Sequence, residues 1–205
     1  MESLKPQDVL VVLKLCAVAA TAKSNAAKSS PLAMATLGIQ LGLSASEVHA
    51  AVRRARLSGL LHHEPSRPKR LLAGSDAHVF RFRPLRSERL NAASIHEFLV
   101  HGLKYVFPAQ RGEFTRGLPT SYAASPLSAL ITKGHDPIPV WPFAEGTARG
   151  VAFEPLYRTV PFAALHDPVL YEFLAIADAL REGRVRERKI AEAQLRKRLE
   201  KIHVG

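Results

Sequence analysis

The sequence predicts an α+β fold that is mainly helical, with a small β element in its first half and a proline-rich second half ending in two helices. Three observations carry this reading. Apolar residues recur at helical spacing from Val9 onward. The period then changes to alternation at Val79-Phe80-Arg81-Phe82-Arg83. Nine of the fourteen prolines fall between 108 and 168, so regular structure there must be short. With 205 residues, 47% of them apolar and 23% charged, the chain has the composition of a soluble globular protein. Two regions are expected, 1–90 and 91–205.

The first helix is expected to start at Pro6, a residue suited to a first helical turn, with Asp8 near the positive helix end. Val9, Val12, Leu13, Cys16 and Ala17 form one stripe, and Val11 and Leu15 make a second side apolar too. Such a helix is buried on both faces or shared with another chain. Thr21 to Ser30 is small and polar, a loop. Ser30-Pro31 restarts a helix that Gly42 closes. Ser44-Ala45-Ser46-Glu47 is a capping box, which starts a helix burying Val48, Ala51, Val52 and Ala55 and ending at Ser58-Gly59. Only Gly42 and Leu43 separate the two helices, so they read as a helix-turn-helix.

A strand near 60–63, the basic loop Pro65-Ser66-Arg67-Pro68-Lys69-Arg70 and a return strand near 79–83 would make a β-wing. Asn91 caps a helix carrying Ile95, Phe98 and Leu99, and Lys104 to Phe107 reads as a further strand. Asp167-Pro168 opens a helix with the stripe Leu170, Phe173, Leu174, Ala177 and Leu180, stopped by Gly183. The last helix, 184–201, is mostly charged, with Leu195, Leu199 and Ile202 as a narrow seam. Nine of the fourteen aromatic residues lie between 105 and 162, as a second core or as a core with an interface.

Charge and motifs limit the function classes. Lys and Arg number 29 against 18 for Asp and Glu, a net +11, which points to a polyanion. Between Arg53 and Arg89 ten basic residues face three acidic ones, which concentrates seven of those eleven charges. The longest apolar run, Val9 to Ala20, is broken by Lys14 and is too short to span a bilayer. Glu2 and Asp8 stand where a signal peptide would be basic, so a cytoplasmic protein without a membrane partner is expected. One cysteine, Cys16, excludes an internal disulfide. There is no Walker loop and no H-E-x-x-H, and Pro68 spoils the formal S-x-x-K at Ser66 to Lys69. His62-His63 would point to opposite strand faces, and His96 and His101 do not share a helix face. No enzyme activity, cofactor or metal is expected.

On the helix after the capping box, Ser46, Ala50, Arg53 and Leu57 fall opposite the buried stripe, flanked by His49 and Arg54. Small residues near the N-terminus let a backbone approach double-stranded DNA, and long donors then reach bases or phosphates. The DNA-contact set is therefore Ser44, Ser46, His49, Arg53, Arg54 and Arg56 on helix 45–58, with Arg67, Lys69 and Arg70 in the wing at 62–83.

The stretch Leu41-Gly42-Leu43-Ser44-x-x-Glu47-Val48, with Ala55-x-x-Ser58-Gly59-Leu60-Leu61, resembles the winged helix-turn-helix domain of MarR-type bacterial transcriptional regulators over residues 6–83. The resemblance implies a recognition helix in the major groove and a wing on the backbone. Leu195, Leu199 and Ile202, together with the doubly apolar first helix, lead us to expect a homodimer. Two alternatives remain open. One is an antitoxin-like protein that binds a partner protein through its C-terminal half and autoregulates. The other is a winged-helix interaction module without DNA binding.

Overall fold

A computed structural model describes residues 2–22, 33–62, 90–132 and 136–203. The fold is α+β, a helical body with a small three-stranded sheet. Helix α1 (Pro6–Ala22) is its central rod. Val9 to Leu13, Cys16 and Ala17 are buried, because α1 packs on α3 (Ala45–Leu57) and also on α7 (Pro168–Glu182) and α8 (Val185–His203). The second apolar side of α1 is thus covered within the chain, which corrects the expectation that a partner chain covers it. The helix also runs to Ala22 rather than ending before Thr21, whose hydroxyl donates to the Ala17 carbonyl at 2.9 Å. Burial pushes the Cys16 thiol up to about 12, so it packs as an inert apolar residue.

Helix α2 (Met34–Leu41) ends at Gly42, whose φ of 64° is the left-handed conformation that glycine adopts without strain. Its N-cap is Ala33; the expected start at Ser30-Pro31 lies outside the described residues. Helix α3 follows after Leu43. A Cβ on Gly38 would sit 2.5 Å from the Leu43 carbonyl oxygen, so only glycine admits this close turn. Beyond α3, Leu61 bridges Leu90 in antiparallel fashion, and the Asn91 N–H donates to the Leu60 carbonyl at 3.0 Å. The ends of the intervening segment are therefore held together. The expected return strand at 79–83 and Arg67, Lys69 and Arg70 lie outside the described residues.

Asn91 caps α4 (Ala92–Glu97), which continues through a π-helical turn (Phe98–Gly102) into α5 (Leu103–Val106). The expected strand at Lys104–Phe107 is therefore helical. Ile95, Leu99 and Leu103 recur every four residues and all are buried, so the helical stripe outweighs the local β-propensity. The proline-rich region holds strands β1 (Arg111–Pro119), β2 (Pro139–Pro142) and β3 (Ala148–Phe153). β1 runs antiparallel to both others, and β2 lies parallel to β3, so the three close on one another. Glycine permits that closure: a Cβ on Gly117 would lie 1.9 Å from the Trp141 carbonyl oxygen, and one on Gly150 2.0 Å from that of Ile138.

Helix α6 (Val160–His166) leads into α7, capped by Asp167, which accepts from the Val169 and Leu170 N–H groups at 3.0 Å each. The other carboxylate oxygen of Asp167 accepts from buried Lys14 at 2.7 Å, tying α1 to α7. Helix α8 places Leu195 and Leu199 in the same core as α1 and α7, with Ile202 partly buried against it. This corrects the reading of Leu195, Leu199 and Ile202 as a seam for a second chain: α1, α4 and α7 cover it. The buried core runs without a break through residues on both sides of position 90.

One polar cluster lies inside this core. Asp178 on α7 accepts from Thr120 Oγ1 at 2.8 Å, Trp141 Nε1 at 2.6 Å and Arg181 at 2.8 Å. Arg181 also donates to the carbonyls of Phe107, Pro108 and Glu154. Burial pushes the Asp178 carboxyl up, against the pull of Arg181 and of the Thr120 and Trp141 hydrogen bonds. The cluster fastens the sheet and the end of α5 to α7.

Candidate nucleic-acid interface

The exposed face of α3 is the one expected from its sequence. Val48, Ala51, Val52 and Ala55 are buried, whereas Ser44, Ser46, His49, Arg53 and Arg56 face outward with Leu57. The capping box is formed: the Ser44 N–H donates to Glu47 Oε2 at 2.7 Å, and the Glu47 N–H donates to Ser44 Oγ at 3.2 Å. Ser44 accepts in that bond, so its hydroxyl proton remains a donor for a phosphate oxygen. The backbone N–H of Ser44 holds the Glu47 carboxyl below the usual carboxylate range. The Glu47 half of the cap therefore stabilises the fold above the usual carboxylate range and loses its effect as pH falls through the lowered value. Glu47→Ala is expected to cost ~0.3–1 kcal/mol of stability at neutral pH, and less in acid, read from the urea midpoint. Equal losses at both pH values would show that the Glu47 carboxylate takes no part.

Arg53 and Arg54, adjacent in sequence, have different roles. Arg53 points outward, and its Nη2 meets Glu2 Oε1 at 2.6 Å, with side-chain exposures of 54% and 46%. An exposed pair of this kind contributes ~0–1 kcal/mol, so an anion or a base edge can displace Glu2. Arg54 is buried and does not belong to the outer face. Its Nε and Nη2 donate to both carboxylate oxygens of Asp8, at 2.7 and 2.6 Å. The hydrogen bonds to Asp8 raise the Arg54 pKa further. This corrects its assignment to DNA contact. At 100° per residue, position 54 falls at the edge of the buried stripe, where α1 supplies the acid.

The fold adds a cation that sequence reasoning missed. Arg158 is exposed and lies close enough to Glu47 to help hold its carboxyl down. Its neighbour Thr159 packs at the α2–α3 turn, with its methyl 3.1 Å from the point a Cβ on Gly42 would occupy. Nothing local marks Arg158, since 111 residues separate it from Glu47 in a proline-rich stretch. His49, Arg53 and Arg56 therefore share one helical face, and Arg158 lies near the N-terminus of that helix.

No helix among the described residues is long and apolar enough to cross a membrane, and no group of three metal-ligating side chains gathers among them. No protein-family model matches the chain, nor does any curated protein or solved structure.

Proposed function

We propose that this chain is a sequence-specific DNA-binding transcriptional regulator that reads double-stranded DNA with α3. The observation carrying this reading is the split of α3 into two faces. One side packs on α1 and α2, and the other presents Ser46, His49 and Arg53 on small neighbours, with Ala45 and Ala50 letting a groove edge come close. Two further features support it: the capping box that fixes the helix start, and the Leu61–Leu90 bridge at the base of a strongly basic segment. That segment would act as a winged helix's backbone-gripping wing, with Arg67, Lys69 and Arg70 on phosphates. Ser44 and Arg158 would contact the phosphates near the helix N-terminus.

Selection from a random duplex pool supplies the site needed for the test. Arg53→Ala is then expected to weaken binding to the selected site by ~1–3 kcal/mol and to relax preference at one base pair. Failure to enrich any duplex, or unchanged affinity and preference in both Arg53→Ala and His49→Ala, would remove α3 as the reader. Arg54→Ala is not a substitute for these variants, because its effect would come through the fold.

A further inference from the structure

A second surface lies on the sheet, on elements that the DNA-reading face does not use. β1 and β3 pair with Phe114 opposite Val151, Thr115 opposite Gly150, and Arg116 opposite Arg149. Directly opposed residues of an antiparallel pair point to the same side, with Cβ atoms about 5 Å apart. The structure therefore sets two arginine residues opposite each other on one side of the sheet. Like charges in that relation destabilise a sheet. Among the described residues neither Arg116 nor Arg149 has a carboxylate partner, and both are exposed. The arginines beside a neighbouring cleft differ in this respect: Arg111 pairs with Glu182 at 2.6 Å and Arg184 with Asp136 at 2.9 Å. Arg116 and Arg149 stand opposite each other, with no carboxylate of the described residues between them.

An aromatic ring completes the surface. Phe114 stands two residues before Arg116 on the same side of β1, is 56% exposed, and has the Arg149 guanidinium 5.6 Å from its ring centroid. Its orientation follows from the closure of the sheet. The positions that face β2 are small, with Gly117 and Gly150 against the Trp141 and Ile138 carbonyls. The alternate positions, Phe114, Arg116 and Arg149, are driven outward. Local rules of sheet stability would place neither a bare phenylalanine nor opposed arginines there, and such violations mark sites kept for binding.

We propose that this face binds single-stranded nucleic acid, with an unpaired base stacked on Phe114 and backbone phosphates held between Arg116 and Arg149. The ring selects a single strand, since bases within a duplex are already stacked. The two cations supply the charge complement that the sheet itself lacks. This inference does not rest on the reading of α3, and either can fail alone.

The test is fluorescence anisotropy of labelled oligothymidylate and oligouridylate with the full chain over a salt series. The parent is expected to bind at low salt. Phe114→Ala should weaken binding about 5- to 150-fold at unchanged salt slope. Arg116→Ser with Arg149→Thr should reduce the slope of log K against log salt by about 1.4, the value for two phosphate contacts on a single strand. Arg149→Thr alone should also raise Tm by about 1–3 °C as the repulsion is removed. Arg53→Ala should leave single-strand affinity unchanged. A parent that does not bind either strand overturns the proposal, as do variants that bind as the parent does. Loss in the arginine variants without loss in Phe114→Ala would make the face a general polyanion contact and equally overturn it. Tighter binding of one strand would decide between DNA and RNA within the proposal.

Discussion

Asp8→Ala is expected to destabilise the fold by about 3–5 kcal/mol, a large fraction of the stability of an ordinary domain. The side chain of Asp8 is fully buried and accepts both hydrogen bonds from Arg54, whose own side chain is 8% exposed. Removing the carboxylate leaves a buried guanidinium between α1 and α3 without its hydrogen-bonded counter-charge, and Glu2 acts on it only from further off. Breaking one half of a buried pair therefore costs far more than the pair itself contributes, because each ion was desolvated on folding. The double variant Asp8→Leu with Arg54→Met should recover most of the loss, since apolar groups of similar size replace both charges. Urea unfolding of the two singles and the double gives the coupling energy directly. A loss below about 1 kcal/mol for Asp8→Ala would mean that water reaches Arg54 and that the pair is not buried in solution. Because the pair holds α3 against α1, the single variants should also weaken any duplex binding, whereas the double should keep it.

Asp178→Ala is expected to be comparably severe, by about 3–5 kcal/mol. The substitution strands three donors at once: the Thr120 hydroxyl, the Trp141 indole N–H and one arm of Arg181. Arg181 keeps its carbonyl acceptors at Phe107, Pro108 and Glu154 but loses its only carboxylate among the described residues. Trp141 is the one tryptophan in the chain, so its fluorescence reports on this cluster alone. In Asp178→Ala the emission should shift to the red before global unfolding as water enters around the indole. Asp178→Asn keeps one acceptor oxygen and most of the shape, and should fall between parent and alanine variant. An unchanged emission maximum and urea midpoint in Asp178→Ala would show that the cluster does not hold the sheet to α7.

Much of the local structure was legible because its causes lie within a few residues. The capping box at Ser44 and Glu47, the stop at Gly42 and the Asp167-Pro168 start formed as read, each resting on one or two nearby hydrogen bonds or a single backbone angle. The buried stripes of α3 and α7 likewise follow from spacing alone. What covers a stripe does not. The seam of Leu195 and Leu199, too narrow to bury by itself, is covered within the chain by α7, α4 and α1. The two features read as evidence for a second chain meet partners that lie far away in the sequence. The segment 103–106 shows the same limit, since Lys104 to Phe107 suits a strand taken alone, whereas Leu103 continues the spacing of Ile95 and Leu99.

By itself the sequence determined where α3 and α7 start and stop, where α2 stops, which sides of α3 and α7 are apolar, and that positive charge concentrates after Arg53. These properties are set by backbone conformation and neighbours at fixed offsets, so they survive without knowledge of the rest of the fold. Only the tertiary structure decided which of two consecutive arginines is outward. Arg53 and Arg54 have the same chemistry, and their difference comes from Asp8, a carboxylate 46 residues earlier that must be neutralised once α1 is buried. Only the tertiary structure, too, brought Arg158 to the start of α3 and set Arg116 opposite Arg149. Strand register in a closed sheet depends on where distant backbones approach most closely, and here Gly117 and Gly150 meet β2 at positions that no local pattern marks.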